Sequence, residues 1–252
     1  MKEIQNTKKD VKLTFWGTSH GLPERERYCS CTMIEVGGNI YFVDVGAPLA
    51  DIMANYNIPY ERVKAIFITH SHLDHCAGLP VFIGIEKWHR KDSNTQFYLP
   101  DHKLYNGLLP FFTERPEVSN NKIIPHLFKE GSVYDDGIIS VMAIPTRHLD
   151  NIGLPSYAFC IKIKDKSLIF TGDLTDEFDD FPTQATEREH DAVVCELTHF
   201  SVERAIPKFN AVKTKHLIFN HVRDDKIECI NRNKEKISHD YQIVNDRDVV
   251  VI

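Results

Sequence analysis

Residues 70–75 read His-Ser-His-Leu-Asp-His, three imidazoles and a carboxylate within six positions. The run KAIFIT at 64–69 leads straight into them, which places the group just past the end of a strand. At the His and Asp frequencies of this chain, the pattern His-x-His-x-Asp-His arises by chance at roughly 1 in 10⁵ starting positions, so it marks a site. Alternate side chains of an extended segment point the same way, which lets His70 and His72 grip one cation. Asp74 and His75 follow where the chain turns into the helical run CAGLPVFIGIEKW, and there they can face a second. Three more strand-like runs end in a residue of ligand type: GIISVMAIP reaches Arg147-His148, KSLIFTG reaches Asp173 and KHLIFN reaches His221. Loops at the ends of buried strands are free to converge. Five His and two Asp then suffice for two divalent cations, with His70, His72 and His148 on the first, Asp74, His75 and His221 on the second, and Asp173 bridging. Imidazole with carboxylate suits zinc, and manganese, iron or nickel take the same donors. Two such ions bring the pKa of a shared water toward ~7 and polarise a substrate oxygen, which is the chemistry of hydrolysis by a metal-bridging hydroxide. In that scheme Asp74 both ligates and accepts a hydrogen bond from the nucleophile, while Glu196 and His199, after the run DAVVCEL, are the candidate proton donors to the leaving group. Arg25 and Arg27, on the loop PERERY, are candidate contacts for an anionic substrate, against the plainer reading of a charged exposed loop.

Positioning these residues requires a sheet. β-branched and aromatic runs recur at 11–17, 31–36, 39–45, 64–69, 137–145, 157–163, 166–172, 191–197 and 215–220, and read as strands of largely buried sheets. Helical candidates lie between them at 47–57, 75–91, 101–112, 201–212 and 224–235. Strand runs mixed with helices imply an α/β class with sheets covered by helices. No repeat, low-complexity tract or Pro/Gly/Ser-rich linker interrupts the chain, so the expectation is one domain over residues 1–252 with a flexible polar start at 1–10. The aromatic-bearing segment 79–135, with Trp88, Tyr98, Tyr105, Phe111 and Phe112, must supply core and could also wall a substrate pocket or form a homodimer contact.

The motif THSHLDHCAG, followed in order by RHLD, FTGDLT and FNHVR, resembles the metallo-β-lactamase superfamily of hydrolases over essentially the whole chain. The resemblance implies a four-layer αβ/βα sandwich, two mixed sheets face to face with helices outside and the metals at one edge. It also implies that Asp44, at the end of NIYFVD, orients the metal loop from behind the ligands. The opening FWGTSHGLPERERYCSC is similar to the ribonuclease Z-like branch, through Gly17, Thr18, Pro23, Arg27 and Ser30, and Ser156 and Ala158 also fit it. Three departures argue against tRNA 3′-end processing. Cys195-Glu196-Leu197-Thr198 stands where that branch has His-Glu-Ala-Thr, so a thiol replaces an imidazole implicated in proton transfer. Only the residues 149–172 separate His148 from Asp173, enough for one hairpin and no tRNA-gripping arm. The usual His-Phe-Ser-x-Arg-Tyr ending is here His221-Val222-Arg223-Asp224.

Composition supports the same direction. The 252 residues are 42% hydrophobic and 26% charged, which excludes disordered and fibrous chains, and no apolar stretch approaches the ~20 residues of a membrane span. Lys plus Arg number 30 against 36 Asp plus Glu, a net charge of −6, so the whole chain is not a polyanion binder and a small-molecule substrate is favoured over nucleic acid. The first residues carry no apolar leader and the cysteines no zinc-ribbon spacing, so a cytoplasmic protein with reduced thiols is expected. The leading function is hydrolysis of a small phosphodiester. Next comes a carboxylic ester, thioester or lactone hydrolase with the same metals and a more apolar pocket. A mononuclear iron oxygenase would need only His70, His72, His148 and Asp173, which leaves Asp74, His75 and His221 unexplained. A non-catalytic binding module on a degenerate site is the least favoured, since all seven ligand positions are filled.

Overall fold

The computed structural model describes residues 10–90, 93–113 and 123–252. All of the expected flexible start except Asp10 lies outside these residues, as does Lys91 at the end of one helical candidate.

Six strands, β1 (Lys12–Gly17), β2 (Cys31–Val36), β3 (Asn39–Val43), β4 (Val63–Phe67), β5 (Gln96–Leu99) and β6 (Ile124–Leu127), build most of a first sheet. The next seven, β7 (Gly131–Asp135), β8 (Ile139–Thr146), β9 (Ser156–Ile163), β10 (Lys166–Phe170), β11 (His190–Leu197), β12 (Thr214–Val222) and β13 (Tyr241–Ile243), form a second sheet. β14 (Val249–Val251) then returns to the first beside β1. The strand orders are β14-β1-β2-β3-β4-β5-β6 and β13-β12-β11-β10-β9-β8-β7. Each sheet is mixed: β14 to β3 pair antiparallel and β3 to β6 parallel, while β7 to β10 pair antiparallel and β10 to β13 parallel.

Helices α1 (Leu49–Asn55), α2 (Leu73–Cys76), α3 (Leu79–His89) and α4 (His102–Thr113) belong to the first half, and α5 (Gln184–Glu187), α6 (Val202–Ala211) and α7 (Asp224–Arg232) to the second. The near-continuous apolar runs follow from burial of both faces of the sheets. Phe15, Tyr41 and Phe67 of the first sheet meet Phe159, Ile161, Val194 and Ile218 of the second in a central core. Their neighbours Ile40, Phe42 and Ile66 face outward onto Ile52, Phe82, Ile83 and Phe112 of α1, α3 and α4. Val193, Cys195, Leu217 and Phe219 face Ala205, Phe209 and Ile230 of α6 and α7. Two sheets face to face under helices are the four-layer αβ/βα sandwich that the motifs implied.

The elements depart from the sequence expectation at definable points. The helical run 75–91 is two helices, because the Gly78 amide leaves the helical ladder and donates to the Val45 carbonyl at 2.9 Å. The strand expected over 39–45 stops at Val43, since Asp44 takes the left-handed conformation with φ 59°. Of the segment 79–135, Tyr98 and Phe112 are core while Trp88 and Phe111 are exposed. Residues 114–122 of it lie outside the described residues. Among the described residues no helix is long and apolar enough to cross a membrane.

Candidate metal centre

Loops after β4, β8, β10 and β11, together with the end of β12, meet at one edge of the sandwich. β4 delivers Thr69 and His70 into the interior, and His72 stands at the N-terminus of α2, whose single turn carries Asp74 and His75. α2 is held to the strand β3 side by the Val45 amide, which donates to the carbonyl of His75 at 2.8 Å. His148 follows β8, Asp173 follows β10 and His199 follows β11. Gly172 is required before Asp173: its φ is +59°, and a Cβ there would lie 2.6 Å from the Tyr157 carbonyl oxygen. His221 sits in β12 where the register with β11 slips, at φ 52°.

The donor atoms of His70, His72, His148 and Asp173 lie within 4.8 Å of one another, as do those of Asp74, His75, Asp173 and His221. Asp173 belongs to both groups. Its Oδ2 is 3.6 Å from Nε2 of His70, 3.7 Å from that of His148, 3.4 Å from that of His75 and 3.5 Å from that of His221. Asp74 Oδ2 is 3.5 Å from His75 Nε2 and 3.8 Å from His221 Nε2. These separations exceed hydrogen-bond length. They match the span of about 3.4 Å between two ligands each ~2.1 Å from a tetrahedral cation. Nε2 of His70, of His75 and of His221 and Oδ1 of Asp173 are buried without a hydrogen-bond partner among the described residues, a cost that a shared cation would remove. The residues therefore fit two divalent ions.

The opposite nitrogens are held in ways that favour this fit. His75 Nδ1 donates to Asp44 Oδ2 at 2.8 Å. The Thr69 hydroxyl donates to the Asp44 carboxylate and lies 3.1 Å from His70 Nδ1, so it accepts from that ring. His148 Nδ1 donates to the Leu174 carbonyl at 3.2 Å. Each bond turns Nε2 toward the shared centre, that of His148 lying 3.3 Å from Nδ1 of His72. Burial disfavours charge on His70, and the neighbouring imidazolium of His75 adds to it, so its pKa lies well below the ordinary value. His75 goes the other way: burial opposes its charge, but Asp173 and Asp44 outweigh burial and hold it well above the ordinary value. Asp74 and Asp173 are both depressed, because the surrounding imidazoles outweigh the penalty of burial.

Glu196 is buried and accepts from four donors, the amides of Leu174, Thr198 and His199 and the Nδ1 of His199 at 2.9 Å. With its oxygens so engaged, Glu196 holds His199 in place and is less suited than His199 to the proton-donor role expected of both. His199 is different. Burial works against its charge, but Glu196 and Asp173 raise its pKa to about 9, and its ring packs 4.5 Å from that of His148. It lines an open cleft of ≈ 420 Å³ with Arg147, His148, Asp150, Asn151, Thr175 and Asp176.

Arg27 is also corrected. Its guanidinium donates to the carbonyls of Thr18 and Val222, to the Thr18 hydroxyl and to Glu24 and Asp224, so it clamps the opening loop to the end of β12. Arg25 is exposed on that loop. Gly21, at its start, lies beside the Asp74 carboxylate, where a Cβ would be 3.7 Å from Oδ2. Cys195, the thiol that replaces an imidazole, is fully buried beneath the centre. Sequence reasoning missed Thr69, which links His70 to Asp44, and Asp180, which accepts from the amides of Arg147 and Thr175 and so ties the His148 loop to the loop after Asp173. Thr69 adjoins His70 in sequence and was within reach of inspection, whereas nothing in the run FDDFP marks Asp180.

Comparison with known proteins gives the chain's family and fold relatives. A profile of the family described as anti-Pycsar protein Apyc1 matches residues 11–204. The ribonuclease Z of Shouchella clausii (strain KSM-K16) is 31% identical over 163 residues, covering 62% of this chain and 49% of that protein. The chain thus spans about half the length of the curated relatives it matches. Among solved structures, the metallo-β-lactamase fold protein YhfI from Bacillus subtilis superposes with a TM-score of 0.76 at 17% identity, over 97% of this chain and 100% of that one. The short form of human tRNase Z superposes with a TM-score of 0.72 at 19% identity, over 95% and 98%. With a family match running from the start of β1 into α6 over this sandwich, the chain belongs to the anti-Pycsar protein Apyc1 family, shares the metallo-β-lactamase fold and is similar to ribonuclease Z.

Proposed function

We propose that this chain is a two-metal phosphodiesterase acting on a small phosphodiester. The observation that carries the reading is the pair of donor groups sharing Asp173, with His199 held by Glu196 at their mouth. His70, His72 and His148 would hold one ion, Asp74, His75 and His221 the other, and Asp173 would serve both. Zinc is the ion best suited to this nitrogen and carboxylate set. Two divalent ions, when bound, supply hydroxide at neutral pH and neutralise charge building on phosphoryl oxygens. The protein's own groups do the rest. Asp44, through His75, and Thr69, through His70, fix ring orientation and the tautomer that offers Nε2. Asp74, with its carboxyl held ionised, accepts a hydrogen bond from the attacking oxygen. His199, oriented by Glu196, gives its Nε2 proton to the departing oxygen. Arg25 is the cation on the opening loop available to an anionic substrate.

A ribonuclease acts on a phosphodiester, and that chemistry is what the named relatives support. The cleft beside His199 mixes polar Asn151 and Thr175 with apolar Leu174 and the carboxylates of Asp150 and Asp176, so the preference for a phosphodiester over a carboxylic ester rests on the paired donor groups and the relatives. The test is turnover by zinc- or manganese-loaded protein of bis(p-nitrophenyl) phosphate, p-nitrophenyl acetate and a lactone panel. The phosphodiester is expected to turn over and His72→Ala to abolish it. Turnover of carboxylic esters alone rejects the reading.

A further inference from the structure

His70, His75 and His148 each have Nδ1 held by a protein acceptor, and His72 stands at the exposed rim. His221 breaks the pattern. Its Nε2 faces Asp173 and Asp74, while its Nδ1 is buried with no hydrogen-bond partner among the described residues. The amide oxygen of the preceding residue, Asn220, is buried and unpartnered in the same way. Neighbours on a strand normally point to opposite faces. Here the register slip and the positive φ of His221 break the alternation, and both residues line one partly open cavity of ≈ 30 Å³ whose lining also includes His75 and Asp173. Its wall also includes Ser30, Thr32, Thr171 and Cys195. Val43, Phe170 and Val194 add apolar wall to these polar groups, and since a water needs roughly 10–15 Å³ on this measure the space has room for one or two. The Asn220 amide nitrogen donates to the Thr32 hydroxyl at 3.4 Å, which leaves Oδ1 as the acceptor.

We propose that Asn220 is a positioning residue for the second cation: through a water in this cavity its amide oxygen takes the Nδ1 proton of His221, fixing the tautomer that presents Nε2. The role matches those of Asp44 for His75 and Thr69 for His70, with a water inserted because the amide sits beside the ring's own residue and not opposite it. The inference rests on the two-cation reading, and its test separates the two. Zn²⁺ binding to the full chain is titrated against a competing chelator, which reads the two equivalents independently of activity. Asn220→Leu is expected to weaken the second equivalent by about 10- to 100-fold, the range seen when a ligand's outer partner is lost, and to leave the first within about threefold. Asn220→Asp, which keeps an acceptor oxygen, is expected to bind the second equivalent at least as well as the wild type. Thr32→Val, close to isosteric, frees the amide and gives a smaller loss confined to the same equivalent; it decides the matter if Asn220→Leu does not fold. A wild-type chain that takes up fewer than two equivalents overturns the two-cation reading and this inference with it. A wild type that binds two, with Asn220→Leu or Thr32→Val unchanged, overturns the inference alone, as does a loss shared equally by both equivalents or by Asn220→Asp.

Discussion

In the proposed mechanism proton delivery falls to His199. Burial alone would strip its charge, yet Glu196 at 2.9 Å and Asp173 raise its pKa to about 9, so the ring is an acid at neutral pH. An acid matters only where the leaving oxygen needs a proton. His199→Ala is therefore expected to lower kcat by about 10²- to 10⁴-fold on a dialkyl phosphodiester and far less on a nitrophenyl one, with zinc content unchanged. Steady-state kinetics on the two substrates, with metal analysis, check this; equal losses on both would assign His199 a structural role. The same scale shows why the ligands were legible and their supports were not. His70, His72, Asp74 and His75 crowd into one short segment, and His148, Asp173 and His221 each end an apolar run. The groups behind them are a threonine hydroxyl, a backbone carbonyl and a neutral amide, which no composition or spacing distinguishes from ordinary polar residues. The part of Glu196 in holding His199 was hidden for a related reason, since its four donors come from three separate residues that only the fold brings to it.

Elements are legible where both faces are buried. β1, β2, β9, β11 and β12 stand out as apolar runs because the central core takes one face and the helices the other. β5, β6, β7, β13 and β14 have only three to five residues each, and edge members such as β6 and β7 alternate exposed with half-buried positions, so no run announces them. The junction of α3 with β5 carries a titratable group that the site does not use. Glu86 of α3 is buried and accepts from the Thr95 hydroxyl at 2.7 Å. Burial pushes its pKa from 4.5 up to about 7, against the hydrogen bonds from Ser93 and Thr95. A carboxyl whose folded pKa is raised favours the fold fully below its unfolded pKa, and that contribution is lost as pH rises to the folded value. Between pH 5 and pH 8 the wild type should thus lose about 2 kcal/mol of unfolding free energy relative to Glu86→Gln, read by urea denaturation at both pH values. A gap that stays constant with pH would place the carboxyl's pKa near its ordinary value.

For the whole molecule, the proposed activity raises the question of how large a phosphodiester the centre admits. The family match ends at residue 204, while His221, Asn220 and the Arg27 contact to Val222 lie beyond it, so the second group of candidate donors is completed by the chain's last third. Between His148 and Asp173 the chain is spent on a short turn at 150–152 and the antiparallel pair β9 and β10, both inside the second sheet. Nothing in that span projects to grip a long polyanion, and the net charge of −6 opposes one at long range. Salt dependence turns this into a measurement, because log affinity falls with log salt in proportion to the number of phosphates neutralised. One phosphate contact predicts that kcat/KM on a small phosphodiester falls only about threefold between 50 and 200 mM salt, whereas six to ten contacts would cost about 10³- to 10⁵-fold. The wild-type chain is expected to show the shallow slope, and precursor tRNA at micromolar concentration is expected neither to be cut nor to inhibit. A steep slope, or tRNA cleavage at a rate comparable with the small substrate, would show that the polyanion contacts come from surfaces other than an arm between His148 and Asp173.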